Sequence, residues 1–139
     1  MKVYSPKDRF KLSIEGQGIA FILAPLTAKQ KGDVLSLIAN KGGNQVQDRW
    51  EMVRLALKYS VKGIDGFTDS EDKPLTLAVD ADGLMTDESV DILLNIGEGQ
   101  GVAIAAALQM ATGAKFDSVV DAETGLPIDG VSFKHSGKV

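Results

Sequence analysis

The spacing of apolar residues changes from strand-like to helix-like within the first third of this chain. Phe10, Leu12 and Ile14 alternate with polar residues, and a short apolar run follows at residues 19–24 after a glycine turn. Alternation with a period of two is typical of half-buried strands, so the region predicts an N-terminal β-hairpin. Residues 1–8 before it are expected to form a loose arm.

Helical spacing begins after Pro25. Thr27 and Gln30 match the T-x-x-Q capping box, which predicts a first helix over about residues 28–40. A second helix, expected to end near Lys62-Gly63, follows from apolar residues that recur at spacings of 3 and 4, namely Val46, Trp50, Val53, Leu57 and Val61.

Two further helices are predicted in the second half. Thr86 is placed to cap a third helix, with Met85 and Val90 positioned as a hydrophobic staple. Glycines within residues 97–101 break the helical pattern before an alanine-rich fourth helix over residues 102–112. Before the third helix, residues 63–74 read as a loop and residues 75–79 as a short strand or extended segment.

From residue 113 the chain is polar and rich in turn residues. Two interpretations are open there, a weak hairpin that uses Val119, Val120, Val131 and Phe133, or a mobile tail. We therefore predict an α+β fold, mainly helical, with an N-terminal hairpin followed by about four helices. Residues 1–112 are expected to form a single globular domain, and residues 113–139 a polar, flexible C-terminal tail.

Composition narrows the chemistry. The 139 residues include no cysteine and a single histidine, His135. A disulfide framework, a thiolate zinc site, an iron–sulfur cluster and a cysteine nucleophile are thereby excluded, and a histidine-based triad would need a second chain. No set of residues that would activate one another can be named, so we expect no catalytic residue, no cofactor and no enzymatic activity.

Charge and hydropathy limit the partners. The net charge is −4, whereas a general nucleic-acid binder is usually basic. No apolar stretch is long enough to cross a bilayer, and the N-terminal residues lack the apolar core of a signal peptide. We therefore expect a cytoplasmic protein that binds neither nucleic acid nor membrane.

Two acidic motifs are candidates for metal sites. Asp80, Asp82 and Gly83 resemble the start of an EF-hand loop, but the twelfth position counted from Asp80 is Asp91 rather than glutamate. The motif instead predicts a turn. The acidic run at residues 69–72 could hold a hard cation together with Asp65, although a solvated loop is the favoured interpretation. No metal site is predicted.

The glycine-rich stretch and the helix faces offer alternatives of another kind. Gly97-x-Gly99-x-Gly101 lacks the known phosphate-loop patterns, so it is read as a helix break or as a hinge. Trp50 and Tyr59 are expected in the core. The wide apolar faces of residues 45–62 and 102–112 also suggest self-association into oligomers.

The middle of the chain carries an ordered series of short stretches: Val61-Lys62-Gly63-Ile64-Asp65-Gly66-Phe67, an acidic loop, Lys73-Pro74-Leu75-Thr76-Leu77, and Gly83-Leu84-Met85-Thr86 leading into Val90-Asp91-Ile92-Leu93-Leu94. Pro25-Leu26-Thr27 also runs into a helix after the hairpin. With this pattern, over about residues 9–96, the chain resembles the tail assembly chaperones of long-tailed bacteriophages. The likeness is one of pattern, because the family has no invariant motif.

The resemblance implies a non-enzymatic function in tail morphogenesis. Such chaperones coat the tape-measure protein, help to recruit tail-tube subunits, act in the host cytoplasm and are absent from the mature virion. Many are made in two lengths by programmed frameshifting, and Gly137-Lys138 is compatible with a slip site. Residues 113–139 would then connect to a second module. The family transfers no catalytic or binding residue.

Two other functions are kept as alternatives. The first is a structural phage component, such as a tail protein or a head–tail connector. The second is a small metal-dependent hydrolase, which would need a bound metal or a pocket with converging carboxylates.

Overall fold

Four strands of this chain form one antiparallel sheet, in the order β3-β2-β1-β4. The computed structural model describes residues 2–38, 45–97, 99–112, 118–121 and 124–139. Its elements, in chain order, are β1 (Asp8–Ile14), β2 (Ile19–Leu23), α1 (Ala28–Ile38), α2 (Gln45–Ser60), β3 (Val61–Asp65), α3 (Asp87–Leu94), α4 (Gln100–Thr112) and β4 (Val131–Lys138).

The predicted N-terminal hairpin is confirmed. In the β1–β2 ladder Phe10 lies opposite Leu23, and Leu12 lies opposite Phe21. All four side chains are fully buried on the inner face of the sheet, where they join the hydrophobic core with residues of the helices. The period-two alternation of the sequence is therefore the alternation between a covered and an open face.

The prediction of a mainly helical fold is wrong, because the sheet has two strands beyond the predicted N-terminal hairpin. The first is β3. Val61 continues the apolar spacing of α2, yet the helix ends at Ser60, whose carbonyl oxygen accepts a 2.8 Å hydrogen bond from the Ala24 backbone N–H. Gly63 at the centre of β3 and a register shift opposite Ile22 and Leu23 hide the strand pattern.

The second unexpected strand is β4, within the segment predicted as a flexible tail. Its residues pair with β1, so that Phe133 lies opposite Leu12 and Val131 opposite Ile14. The Phe133 side chain is buried, with its ring centroid 5.4 Å from that of Phe10. Residues 131–138 therefore belong to the same sheet as residues 8–14, and the globular unit extends past residue 112.

Neither the weak hairpin nor the mobile tail that the sequence left open for the C-terminal region describes β4. Val120 bridges to Pro127 rather than to β4, and Ile128 donates a backbone hydrogen bond to Val119. Buried Gln109 of α4 holds this turn, because its side-chain oxygen accepts a 3.1 Å hydrogen bond from the Val120 N–H. The strand was missed because its last five residues, Lys134–Lys138, include no large apolar side chain.

The helix starts follow the sequence closely. Thr27 and Gln30 form the predicted capping box, in which the Thr27 N–H donates to Gln30 Oε1 at 3.0 Å and the Gln30 N–H donates to Thr27 Oγ1 at 3.1 Å. Thr86 caps α3 by accepting a 3.2 Å hydrogen bond from the Ser89 N–H. The predicted end of the first helix, near residue 40, lies outside the described residues.

The helices cover the inner face of the sheet. Val53, Ala56 and Leu57 of α2 are buried, as are the alanines at 103, 106, 107 and 111 and Met110 of α4. The apolar face of α4 is thus used inside the chain's own core. Trp50 departs from the prediction of a core residue, since 53% of its surface is exposed. Tyr59 is half-buried and donates its hydroxyl hydrogen to Asp33 at 3.1 Å.

Two further segments differ from expectation. Residues 75–79 form no strand of the sheet, although backbone hydrogen bonds hold them at Leu75 and Ala78 and Val79 makes an isolated bridge to Met85. The N-terminal arm is not loose at Tyr4, whose ring packs edge-on against Phe10 at 5.0 Å. Within the described part of the chain, no helix has both the length and the apolar character that a bilayer crossing requires.

The place of β4 in the core gives a direct test. Phe133→Ala is expected to lower the free energy of unfolding by about 3 kcal/mol, because it removes a buried aromatic side chain. Leu126→Ala is the control, since that side chain is 65% exposed, and its effect should stay within about 0.5 kcal/mol. Denaturant unfolding measures both. Equal, small effects would show that the C-terminal segment is not part of the core.

Candidate binding groove

The described residues enclose a groove of about 730 Å³. It lies between α3, the start of β2 and the loop that follows β3. Its apolar lining consists of Ile19, Phe67, Leu75, Ile92 and Ile96. This volume and this mostly apolar lining are typical of binding sites for small ligands or for apolar side chains of a partner.

The groove has a fixed floor and an open rim. Ile19 is buried, and the Phe67 ring lies 5.3 Å from the fully buried ring of Phe21. Ile92, on α3, is 36% exposed. The floor therefore belongs to the folded core, whereas Ile92 presents apolar surface to an incoming partner.

Gly66 allows the chain to turn from β3 into the groove. Its φ of +84° lies in the left-handed region, and a Cβ at this position would overlap the carbonyl oxygen of Gly18. A residue with a side chain fits neither the backbone angle nor the space. The close approach of Gly66 to the hairpin turn thus sets where the next residue, Phe67, enters the groove.

Asp69 shapes the groove loop. Its Oδ1 accepts hydrogen bonds from the backbone N–H groups of Glu71 at 2.8 Å and Lys73 at 3.0 Å. Such bonds from an aspartate to the next residues form an Asx turn. Asp72, in the same turn, has a φ of +62°.

Asp80 repeats this arrangement eleven residues later. Its Oδ1 accepts from the N–H groups of Asp82 at 2.8 Å and Leu84 at 3.1 Å, and Gly83 takes the left-handed position with a φ of +76°. The prediction of a turn at this motif is confirmed. Across the described residues, no group of three or more acidic, histidine or cysteine side chains is arranged to hold a metal ion.

The rim of the groove carries charge. Asp91 on α3 accepts a 2.6 Å hydrogen bond from Arg54 of α2, and this bond raises the pKa of Arg54. Lys58 lies 3.4 Å from Asp87 one turn earlier. Surface ion pairs of this kind contribute little to stability. Their effect is to orient α3, and with it Ile92, against α2.

The glycine-rich stretch closes one end of the groove. Gly97 lines it, and Gly99 has a φ of +81° in the turn between two separate helices, as the interpretation of a helix break predicted. A Cβ on Gly99 would lie 3.0 Å from Ile14 Cδ1 and 3.1 Å from Ile19 Cδ1. The turn is thus packed directly on the sheet.

The groove beside it contains the carboxylates of Asp69 and Asp91, which would repel a phosphate.

The only histidine belongs to a second polar cluster, at the far end of the sheet. His135 Nε2 lies 2.8 Å from Oδ1 of Asp8, which is 1% exposed. The Ser5 N–H donates to the other oxygen at 2.6 Å. These two bonds lower the pKa of Asp8, the backbone bond from Ser5 more than the one with His135. The cluster fastens the N-terminal arm and β4 to β1.

Comparison with protein-family models, with curated proteins and with solved structures finds no match to this chain. The groove is therefore described by its geometry alone. The sequence alone predicts no binding residue, and no pattern in it brings Ile19 together with residues 66–97. The sequence hints at the groove only through Ile92. This residue is apolar, but it does not lie on the side of α3 that carries the buried Val90 and Leu93.

The two aspartate turns predict unequal effects on stability when the residue in the left-handed position of each turn is replaced. Gly83→Ala should lower the free energy of unfolding by about 1–2 kcal/mol, because φ is positive there although no atom lies within 4 Å of the new Cβ. Asp72→Gly should change it by less than about 0.5 kcal/mol, since relief of the left-handed strain offsets the greater freedom of the unfolded chain. Chemical denaturation of the two variants checks this. A destabilisation by Asp72→Gly larger than that of Gly83→Ala would contradict the assigned turn geometry.

The Asp8 cluster predicts a loss of stability in acid. Because its pKa is lower in the folded protein than the ordinary 3.8, the stabilisation is fully present above about pH 4. It is lost as the pH falls through the folded-state pKa. Asp8→Asn should lower the thermal midpoint at neutral pH and flatten its decline below about pH 4. Thermal unfolding over a pH series measures this, with Asp129→Asn, at an exposed position, as the control. An unchanged acid limb in Asp8→Asn would contradict the assignment.

Proposed function

We propose that this protein is a tail assembly chaperone of a long-tailed bacteriophage and binds the tape-measure protein through the groove beside α3. The observation that carries the proposal is the position of the groove-lining residues in the sequence. Apart from Ile19 and Gly97, every residue that lines the groove lies within residues 66–96, inside the central part of the chain that resembles those chaperones. The resemblance and the concavity are independent properties of the same segment.

The groove is suited to an amphipathic helix of the partner. Helix-in-groove recognition uses apolar anchors at every third or fourth residue, which insert into an apolar trough. The floor formed by Ile19 and Phe67 would receive such an anchor, and Ile92 would contact its flank. Asp69 and Asp91 at the rim would attract basic residues beside the anchor. Modest affinity at each copy suffices, because many copies along one extended chain add avidity.

The proposal includes the other properties that the resemblance implies. The protein acts without catalysis in the host cytoplasm, self-associates, helps to recruit tail-tube subunits and leaves before the virion is mature. Since α4 uses its apolar face in the chain's own core, the exposed Trp50 of α2 is the more suitable self-association contact.

The groove is tested by co-expression with a tape-measure protein. The wild-type protein should keep the tape-measure protein in the soluble fraction. Ile92→Glu places a charge on the apolar groove and should weaken binding at least about 10-fold, equivalent to about 1.4 kcal/mol. Leu35→Glu on α1 makes the same kind of change at a position that is 42% exposed, and it should retain solubilisation. Equal activity of both variants, or no solubilisation by the wild type, would contradict the proposal.

Virion composition separates the chaperone from a structural tail component. The chaperone proposal predicts that mass spectrometry of purified virions finds this chain at far below one copy per tail. Stoichiometric amounts in mature tails would establish the structural alternative instead.

A further inference from the structure

The outer face of the sheet carries a group of cations that the groove does not involve. The outward residues alternate with the buried ones, and Lys11 of β1 lies opposite Lys134 of β4 and, on its other side, opposite Ile22 of β2. Arg9 is the next outward residue of β1. We call the surface formed by Arg9, Lys11, Lys134 and Ile22 the cationic face.

The pairing of Lys11 with Lys134 is electrostatically unfavourable. Like charges directly opposite each other in an antiparallel ladder destabilise the sheet. Both side chains are exposed, and neither takes part in an ion pair among the described residues. A chain with 19 acidic residues thus leaves two lysines side by side without a carboxylate between them.

Positive charge continues toward β3. Lys62 is the extra residue at the register shift of the β2–β3 ladder, where Leu23 pairs with Val61 and Ile22 with Gly63. Its pKa is lowered by burial and by the charge of Arg9, while Asp80 acts in the opposite sense. The Arg9 guanidinium donates to the backbone carbonyl oxygen of Pro6 at 2.8 Å. Arg9, like the two lysines, takes part in none of the described ion pairs.

Small side chains border the cationic face on one side. The adjoining row of the sheet consists of small residues, with Ser13 opposite Ser132 on one side and Ala20 on the other. Ile22 is half-buried and supplies an apolar contact in the centre. The same row ends on β3 at Asp65, which lies opposite Ala20, and Glu15 follows the end of β1. The two lysines and these two carboxylates therefore lie in different rows of the sheet.

We propose that the cationic face docks an acidic segment of a partner protein, with glutamate or aspartate side chains on the lysines and an apolar residue on Ile22. Charge complementarity selects this occupant. A nucleic acid fits less well, because the net charge of −4 opposes a long polyanion and the described outer face has no aromatic side chain for base stacking. The proposal does not depend on the groove or on what the groove binds.

The test uses a synthetic amphipathic helical peptide with glutamates flanking leucines, labelled for fluorescence anisotropy. We expect the wild-type protein to bind it, and binding to weaken several-fold when the salt concentration rises from about 0.05 to 0.3 M. The double variant Lys11→Glu/Lys134→Glu should bind at least about 10-fold more weakly. The control Lys29→Glu/Lys31→Glu makes the same charge change on α1. It should bind the peptide within about 2-fold of the wild-type affinity, because only the screened, long-range charge is altered.

A stability measurement distinguishes a docking role from a folding defect. Lys11→Glu alone replaces a like-charge pair by an opposite-charge pair across β1 and β4, so it should raise the thermal midpoint while it weakens peptide binding. Three results would overturn the proposal: equal losses in the test and control double variants, equal binding of a peptide with lysine in place of glutamate, or tighter binding of a duplex DNA probe. Because Ile92→Glu leaves the cationic face intact, failure here is distinguishable from failure of the groove.

Discussion

The structure depends on the burial of the inner side of β1. Phe10 and Leu12 are fully buried, and β1 pairs with β2 on one edge and with β4 on the other. The ends of the described chain are therefore joined at one central strand, and the helices are held against its inner side. Apolar burial is the main favourable contribution to folding, and here it also fixes which face of the sheet stays open.

Both proposed binding surfaces result from this arrangement. Helices on the inner face bring α3 beside the start of β2, and Gly66 directs the next residues into the space between them, which makes the groove. The uncovered outer face displays the polar half of the alternation, with Lys11 and Lys134 side by side. One surface is apolar with acidic residues at its rim, and the other is basic, so they suit partners of different chemistry.

Local signals in the sequence predicted local structure well. The capping box at Thr27 and the cap at Thr86 depend on side chains three residues apart, and both are present. Long-range pairing was not predictable in this way. β4 has few apolar residues and joins a strand more than a hundred residues earlier, and β3 is masked by Gly63 and by the preceding helix. The groove combines Ile19 with residues from 66 to 97, so no single stretch of sequence contained it.

Amide hydrogen exchange, with and without a peptide from the tape-measure protein, tests the central claim most directly. Binding in the groove predicts new protection confined to residues 66–75 and 87–97, because those amides lie in the groove walls. Protection elsewhere with none in these two segments, or no protection at saturating peptide, would contradict the account.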